Sequence, residues 1–375
     1  MNRSASTGDW PTAMRAAVLT GHGGPDRLVM RSDVAVPSPG PGSALIRVGA
    51  CGVNNTDINT RIGWYDRSVE TATGDVEPTS TPGSGVARGG WNGALAFPRI
   101  QGADVCGRVM AAPGAGVSLV GRRVLVDPWV RVNDDPLDPA SSGYLGSEHD
   151  GGFAEFVCVP LANIHEINSP LTDEELSSFP CSASTAENML RRVRATAGDT
   201  VVVTGASGGV GTHLVQLAHL RGARVVAVVS RSKGDAVADL GADVVVARES
   251  ADVVAEVGEA AGGGRVDVVA DVVGGSAAFA GWLDLLRPSG RYITAGAIAG
   301  PIVPLDLRTL YLKDLELHGV TAFPPRLFAD VVGLVERGAL RPVLARVYPL
   351  EEIHAAQAFF AEKHHVGSIS ISVAT

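Results

Sequence analysis

The pattern of hydrophobic and polar residues changes near residue 170 of the chain. Before that point, short runs of alternating apolar and polar residues are separated by clusters of Gly and Pro, such as residues 37–42. Alternation at every second position indicates strands with one buried face, and short strands with frequent turns are typical of a sandwich or partly open barrel. The predicted strands cover residues 14–19, 44–48, 105–110, 123–126 and 153–159.

Beyond residue 170, apolar strands alternate with helices. Thr172, followed by three acidic residues, predicts a helix start that the helix dipole favours. The apolar runs are continuous Val and Ala, as in parallel strands buried on both faces. Strands are predicted at 200–204, 224–229, 243–246, 266–271, 291–294 and 315–320, and helices at 184–194, 210–221, 234–240, 251–260, 277–286, 326–337 and 350–362. This alternation predicts a doubly wound α/β sheet, and a last strand at 368–373 is expected to return to the first domain.

Residues 71–93 follow neither of these two patterns. Gly, Pro, Thr and Ser supply 14 of its 23 residues. That composition predicts a loop without a core of its own. We expect the wider insertion, about residues 66–98, to form a lid or a subunit contact that narrows a pocket.

Composition and charge narrow the function classes. The 375 residues suit two domains, and the net charge of −9 argues against nucleic acid or anionic lipid as a partner. The four cysteines show no paired spacing, which predicts neither a disulfide framework nor a structural zinc site. No apolar run is long enough to cross a bilayer, and residues 1–12 do not resemble a secretory signal. We therefore expect a cytoplasmic protein.

A glycine-rich loop directly follows the predicted strand at 200–204 and opens the next helix. In this position glycines allow the backbone to approach a pyrophosphate, which the free N–H groups of the helix terminus then bind. The residues predicted to bind a dinucleotide are Gly205, Ala206, Ser207, Gly208, Gly209, Val210 and Gly211. A tight strand–helix turn without a ligand is the alternative.

The end of the second parallel strand distinguishes NAD from NADP. An acid about 20 residues beyond the glycine loop usually holds the ribose 2′-hydroxyl of NAD. This chain instead has Ser230, Arg231 and Lys233 there, with no acid between them. Hydroxyls and cations suit a 2′-phosphate, so we predict NADPH as the cofactor, although a solvated basic turn is the alternative.

The glycine loop alone would also fit the short-chain dehydrogenases. Those proteins begin with the loop and need a Tyr-x-x-x-Lys pair downstream. Here about 200 residues precede the loop, and none of Tyr292, Tyr311 or Tyr348 has Lys four positions later. That family is excluded.

Several further motifs resemble the medium-chain dehydrogenase/reductase superfamily, in its zinc-independent quinone oxidoreductase-like branch. They are Gly52-Val-Asn-Asn-Thr-Asp57, Arg61-Ile-Gly-Trp-Tyr65, Gln101-Gly-Ala-Asp-Val-Cys-Gly107, Asp150-Gly-Gly-Phe-Ala-Glu155, the glycine loop and Asp271-Val-Val-Gly-Gly275. The resemblance implies a GroES-like partly open barrel over residues 1–177 and 323–375, a Rossmann domain over residues 178–322, an active-site cleft between them, and a homodimer.

Zinc-dependent members of the superfamily bind a catalytic metal at three positions. In this chain the resemblance places Asn54 and Ala103 at two of them and leaves Cys181 at the third. One thiol cannot hold a catalytic zinc, which needs about three protein ligands, so we predict no metal. Asp104 and His149 are conceivable substitutes, but both are expected at the surface.

Without a metal to ionise an alcohol, reduction of a quinone or an α,β-unsaturated carbonyl is the favoured reaction. The resemblance places three candidate catalytic residues in the cleft: Asn54 to orient the carbonyl or the cofactor amide, Tyr65 to supply a hydroxyl, and Asp57 to position its neighbours. Structural alternatives are a helix cap for Asn54 and packing under the insertion for Tyr65.

Positions at the carboxyl edge of the predicted sheet complete the cofactor site. Gly274 and Gly296 are expected near the ribose and nicotinamide, and Phe323 near the nicotinamide through its backbone. Two other functions remain open: a zinc alcohol dehydrogenase with unusual ligands, and a protein that binds NADPH without turnover.

Overall fold

Strands dominate the first part of the computed structural model, which describes residues 10–76, 89–90, 93–131 and 142–373. They are β1 (Ala13–Leu19), β2 (Leu28–Ala35), β3 (Ser43–Val53), β4 (Gly89–Gly90), β5 (Gly93–Ala94), β6 (Arg99–Ile100), β7 (Asp104–Ala111), β8 (Arg123–Val126), β9 (Trp129–Arg131), β10 (Ser142–Tyr144), β11 (Phe156–Pro160) and β12 (Ile164–Glu166). The helices of this part are α1 (Asn55–Ile62) and α2 (Asp173–Leu176).

Helices and strands then alternate to the end of the chain. The helices are α3 (Pro180–Arg192), α4 (Gly209–Leu220), α5 (Gly234–Ala238), α6 (Val253–Ala260), α7 (Ser276–Leu285), α8 (Leu307–Leu312), α9 (Pro325–Glu336) and α10 (Ile353–Glu362). The strands are β13 (Thr200–Val203), β14 (Arg224–Val229), β15 (Val244–Ala247), β16 (Val266–Asp271), β17 (Leu286–Thr294), β18 (Glu316–Gly319), β19 (Leu344–Pro349) and β20 (Ser368–Ser372). Short 3₁₀ helices cover Pro25–Arg27, Thr73–Asp75, Gly114–Leu119, Leu161–Asn163, Arg231–Lys233 and Leu350–Glu352.

Strand β3 is the centre of a mixed sheet in the first part. The strand order is β12–β8–β7–β3–β20–β19, and β11 also pairs with β3. Strand β20 runs antiparallel to β3, with Ile369 opposite Val53. The last strand therefore returns to the first sheet, as the sequence predicts.

The second sheet has the order β15–β14–β13–β16–β17–β18, and every pair in it is parallel. The predicted doubly wound sheet is confirmed. Strands β13 and β16 are neighbours although two strands separate them in sequence, so the winding reverses between them. Ligands of doubly wound folds bind at the carboxyl ends of the strands beside such a reversal.

Both faces of the parallel sheet are buried, which explains its continuous Val runs. Val201 and Val203 pack in one hydrophobic cluster with Phe179 and Phe328, whereas Val202, on the opposite face, packs in another with Trp282. Helix α9 contributes Phe328 to the first cluster, and strand pairing with the mixed sheet resumes only at β19. The domain limits given above remain an interpretation of the sequence. Nowhere in the described ranges is a helix long and apolar enough to cross a membrane.

Candidate active site

Helix α1 places Asn54 and Asp57 where the mixed sheet faces α3. Asn54 is the N-cap residue, and its backbone N–H donates to Asp57 Oδ2 at 2.8 Å. The amide nitrogen Nδ2 of Asn54 donates to Asp104 Oδ2 at 2.7 Å. Asn54 and Asp57 thus form a capping box at the start of α1, and the amide nitrogen of Asn54 is bonded to Asp104.

Asp104 connects three elements of this site. Its Oδ1 accepts the backbone N–H of Cys181, at the start of α3, at 2.5 Å, while Oδ2 accepts from Asn54. The expectation that Asp104 lies at the surface is wrong: it begins β7, pairs with Gly52 of β3 and is 2% exposed. Sequence patterns did not indicate this role, because the register between β3 and β7 decides it. His149 is half-buried in the turn beyond β10.

Asp57 fixes α1 against the turn that precedes β7. Its Oδ1 accepts the Gly102 N–H at 3.2 Å, and its carbonyl accepts Gln101 Nε2 at 2.8 Å. Burial raises the pKa of both Asp57 and Asp104 to about 7. The site therefore contains two carboxyl groups that burial makes hard to ionise.

We expect Asp104→Asn to flatten the pH dependence of stability between pH 3.8 and 7, the interval across which burial raises this pKa. A raised carboxyl pKa means that the protonated form is favoured in the folded state, so the stabilising contribution is complete at low pH and is lost as pH rises through 7. The difference between wild type and variant should change by on the order of 2–4 kcal/mol across this interval. Urea unfolding at several pH values measures it, with the exposed Asp239→Asn as control; parallel pH curves for wild type and Asp104→Asn would refute it.

Tyr65 follows α1 and is half-buried. Its hydroxyl is hydrogen-bonded to the Asn59 side chain, and burial raises its pKa, with a smaller contribution from Cys181. The thiol of Cys181 is hydrogen-bonded to Tyr144 and Thr56, and burial raises its pKa as well. Both groups therefore stay protonated at neutral pH, and Tyr65 can act as a hydrogen-bond donor.

The described part of the insertion reaches the parallel sheet. Trp64 Nε1 donates to the Thr71 carbonyl at 3.0 Å, and the Thr73 N–H donates to the Ile298 carbonyl at 3.0 Å. Ile298 follows β17 at the carboxyl edge of the sheet, so the start of the insertion connects the end of α1 to that edge. Residues 77–88 and 91–92 of the predicted insertion lie outside the described part of the chain.

The glycine loop joins β13 to α4 through a backbone that requires glycine at two positions. Gly205 has φ +58°, and a Cβ on Gly211 would lie 2.2 Å from the Gly205 carbonyl, so both positions require glycine. A Cβ on Gly208 would find its nearest neighbour 3.6 Å away. The first N–H groups of α4, from Gly209, Val210 and Gly211, have no acceptor within the helix. Ala206 is buried and Ser207 half-buried in the same loop.

Two further contacts join this loop to the site around Asn54. A Cβ on Gly209 would lie 3.4 Å from Ser182, the residue after Cys181, and 3.2 Å from Ser368 Oγ on β20. The predicted dinucleotide loop thus packs against the start of α3, where the Cys181 N–H is bonded to Asp104.

Family comparisons agree with this two-part architecture. Residues 40–169 match the alcohol dehydrogenase GroES-like domain family, and residues 209–337 match the zinc-binding dehydrogenase family. A solved structure from Sinorhizobium meliloti 1021, of the alcohol dehydrogenase type, has 44% identity and a TM-score of 0.88 over 97% of both chains. The chain belongs to the medium-chain dehydrogenase/reductase superfamily.

Curated relatives place this dehydrogenase/reductase in the quinone oxidoreductase-like branch. An acryloyl-coenzyme A reductase of Metallosphaera sedula is 28% identical over 96% of this chain and 100% of its own length. A quinone oxidoreductase of Lama guanicoe is 28% identical over 92% of both chains. An NAD-dependent alcohol dehydrogenase of Sulfolobus acidocaldarius is 27% identical over 92% of this chain and 95% of its own. The chain is an oxidoreductase with a nicotinamide nucleotide cofactor, and the glycine loop fits that cofactor.

The side chains at the three metal-binding positions of this dehydrogenase/reductase do not fit a catalytic zinc. Asn54 donates an N–H to Asp104, and Ala103 has no donor atom. Both Asp104 oxygens already accept hydrogen bonds, which leaves the protonated Cys181 thiol as the one group of zinc-ligand type at the three positions. Across the described residues, no group of three or more His, Cys, Asp or Glu side chains is arranged to hold a metal.

The turn after β14 carries the residues expected at the cofactor's ribose. Ser230 is buried, and the side chain of Arg231 is exposed. Lys233 Nζ donates to the Lys363 carbonyl at 2.6 Å. This bond directs the Lys233 side chain toward the loop between α10 and β20, residues 363–367, which is called the C-terminal loop below. The Arg231 N–H donates to Glu249 Oε2 at 3.1 Å. Sequence spacing did not indicate Glu249, because it follows β15 and not β14.

The remaining predicted cofactor contacts lie along the carboxyl edge of the sheet. Gly274 has φ +69°, and a Cβ there would lie 2.7 Å from Ala297 Cα. The Gly296 N–H lies 3.4 Å from Thr294 Oγ1. Phe323 is buried, and its carbonyl accepts Arg131 Nη2 at 2.7 Å. The Phe323 carbonyl already has this partner, so a contact to a nicotinamide would involve the other lone pair or the N–H.

Proposed function

We propose that this oxidoreductase uses NADPH to reduce the conjugated double bond of a quinone or an α,β-unsaturated carbonyl compound, and that it does so without a metal. The observation that carries the proposal is the hydrogen-bonded network of Asn54, Asp104 and the Cys181 amide, which leaves one thiol where a catalytic zinc would need about three protein ligands. The names of the acryloyl-coenzyme A reductase and quinone oxidoreductase relatives support the same substrate class.

NADPH supplies a hydride when bound, and the chain's residues orient the acceptor and handle charge and proton. Asn54 gives one amide hydrogen to Asp104, so the second can bond to the substrate carbonyl oxygen, on which negative charge accumulates. The protonated Tyr65 hydroxyl is a second donor in the cleft. One substrate, one NADPH and one proton give the saturated carbonyl compound, or the hydroquinone, and NADP⁺; the proton comes from Tyr65 or from water.

A substrate panel tests this proposal. Purified protein, with its metal content determined by mass spectrometry, is assayed for NADPH consumption with quinones, enones and enoyl thioesters, and for NADP⁺ reduction with primary and secondary alcohols. We expect turnover of the conjugated carbonyl compounds by metal-free protein. Alcohol oxidation that depends on one equivalent of zinc, or a silent panel despite tight NADPH binding, would contradict the proposal.

Tyr65→Phe should lower kcat by about 100-fold on the best substrate of that panel, because it removes a donor that is positioned in the cleft. NADPH affinity should change little, since the ring remains and the glycine loop is untouched. Steady-state kinetics measure the effect, with Tyr311→Phe on α8 as the matched control, because it removes a hydroxyl outside the site and keeps the apolar ring at the surface. Unchanged kcat and KM in Tyr65→Phe would remove this residue from the mechanism.

We also propose that the enzyme is a homodimer. Strand β18 is an edge strand of the parallel sheet, and large apolar side chains are exposed on it and on α8: Leu307 63%, Tyr311 62%, Leu312 71% and Leu317 36%. An exposed apolar strand edge favours pairing with a second copy. The four free cysteines suit a reducing compartment, and we propose the cytoplasm.

Leu312→Glu should convert the dimer to a monomer, since a carboxylate would be buried in the proposed contact. Analytical ultracentrifugation measures the mass in solution. Val117→Glu changes an equally exposed apolar residue (68% exposed) on the Gly114–Leu119 turn and should leave the dimer intact. A monomeric wild type, or a dimeric Leu312→Glu protein, would show that this surface is not the interface.

A further inference from the structure

Two lysines meet where the C-terminal loop crosses the carboxyl edge of the parallel sheet. Lys233 follows β14, and Lys363 follows α10. Lys233 Nζ donates to the carbonyl of Lys363, and Lys363 Nζ donates to Asn55 Oδ1 at 2.8 Å. The Lys363 ammonium also lies 3.4 Å from the centre of the Phe360 ring. These contacts fix the Lys363 side chain between the turn after β14 and the start of α1.

The same loop is bonded to the glycine loop. The Gly367 N–H donates to the Ser207 carbonyl at 2.7 Å, and Gly367 forms a bridge with Gly208. Lys363 precedes Gly367 by four residues, and Asn55 adjoins Asn54 of the active site. Lys363 therefore lies in the loop that connects the proposed ribose site, the dinucleotide loop and the catalytic cleft.

The charges around Lys363 are not balanced. Within the described part of the chain no carboxylate forms an ion pair with Lys363, although this residue is half-buried. Burial, together with Lys233, lowers the pKa of Lys363 to about 7. Burial and the two lysines, with His364, lower the pKa of His365 to about 4. The Glu249 carboxylate raises the pKa of Lys233, whereas the Arg248 guanidinium lowers it.

We propose that Lys363 binds a phosphate group of the coenzyme and takes up a proton from solvent when it does so. A half-buried ammonium without a counterion is costly, and a phosphate beside it removes that cost. Nothing else is consumed: the neutral amine of Lys363 gains one proton, and the phosphate remains an anion. The proposal rests on NADPH binding as proposed above and names a residue for that same site.

The pH dependence of binding follows from the groups that face Lys363. Below about pH 7 the amine is already charged, so affinity is independent of its titration. Above that pH, one proton must be taken up, so the Kd of NADPH rises by up to about tenfold per pH unit. His365 is neutral in this range because its pKa is about 4, and Glu249 is ionised because its pKa is lowered. The pKa of Lys233 is also lowered, but Lys233 is present in every variant compared, so a difference between variants reports on Lys363.

Calorimetric titration in buffers of different ionisation enthalpy tests the proposal on wild type, Lys363→Met and Lys363→Arg. Wild type should take up about one proton with NADPH near pH 8. Lys363→Met should bind NADPH about 10- to 100-fold more weakly near pH 6 and take up none. Lys363→Arg should bind as tightly near pH 9 as near pH 6, because a guanidinium stays charged. Wild-type affinity and wild-type proton uptake in Lys363→Met would overturn the proposal.

Two further titrations identify the phosphate and separate this test from the proposed function. If Lys363→Met weakens the binding of NADPH and of NADH equally, Lys363 binds the pyrophosphate. If it weakens the binding of NADPH and of 2′-phosphoadenosine 5′-monophosphate but not that of NADH, Lys363 binds the 2′-phosphate. Wild-type protein that does not bind NADPH would contradict the proposed function itself. Thermal unfolding checks the fold of each variant, and Lys363→Arg decides the outcome if Lys363→Met is unstable. Lys363 has φ +56°, and both replacements face the same backbone cost as lysine.

Discussion

Arg231→Ala should weaken NADPH binding by about 10- to 100-fold and leave NADH binding nearly unchanged, because charge-assisted hydrogen bonds to a 2′-phosphate contribute about 1.5–3 kcal/mol. The Arg231 side chain is exposed at the carboxyl end of β14, where doubly wound folds bind the adenosine ribose. Fluorescence titration with both coenzymes measures the two dissociation constants.

Two other variants sharpen this test. Arg122→Ala removes an exposed arginine from the turn before β8 and should alter neither constant. Glu249→Gln removes the carboxylate bonded to the Arg231 N–H and should strengthen NADPH binding, since it takes away a negative charge beside the phosphate. Equal losses for NADPH and NADH in Arg231→Ala, or a wild type that prefers NADH, would show that the coenzyme is not selected at this turn.

Gly208→Asp should weaken the binding of NADPH and NADH alike, by at least about 100-fold. The φ of −78° and ψ of 173° at Gly208 are accessible to any residue, and a Cβ there meets no close neighbour. Aspartate is also a favourable N-cap residue, so α4 and the fold should be retained or slightly stabilised. The new carboxylate would bond to the helical N–H groups that a pyrophosphate needs and would repel that anion.

Gly208→Asn is the matched control, because it has the same shape without the charge. We expect it to bind both coenzymes about tenfold or more better than Gly208→Asp, with the same thermal stability. Calorimetry and thermal unfolding on the same samples separate coenzyme binding from folding. A Gly208→Asp protein that binds either coenzyme as wild type does would mean that the glycine loop does not hold the phosphates.

Local sequence patterns were sufficient to predict most of the helices and strands. The strands predicted at 123–126, 224–229 and 266–271 have the same bounds in the structure, since continuous apolar runs between glycines and charged residues define them. The helix predicted from residue 184 begins at Pro180, because proline is favoured at the first helical position, where its missing N–H costs nothing. The strand predicted from residue 153 begins at Phe156: the Phe153 N–H bonds to the Gln101 carbonyl, and pairing with β3 starts later.

The candidate site was predictable where a motif is contiguous and was not where distant segments meet. Asn54 and Asp57 lie on one helix start, so spacing alone brings them together. Asp104 reaches Asn54 only through the register of β3 and β7, and Lys363 reaches Asn55 across 308 residues of sequence. Burial then raises the pKa of Asp104 and lowers that of Lys363, and a linear sequence does not specify burial of an individual charged side chain.

The most direct measurement is the transfer of deuterium from C4-labelled NADPH to a conjugated carbonyl substrate, with the zinc content determined on the same sample. We expect deuterium at the β-carbon of the saturated product of an enone, from protein that contains far less than one zinc per chain and keeps its rate in the presence of a chelator. Product without deuterium at that carbon, or turnover that a chelator abolishes and zinc restores, would contradict metal-free reduction by NADPH.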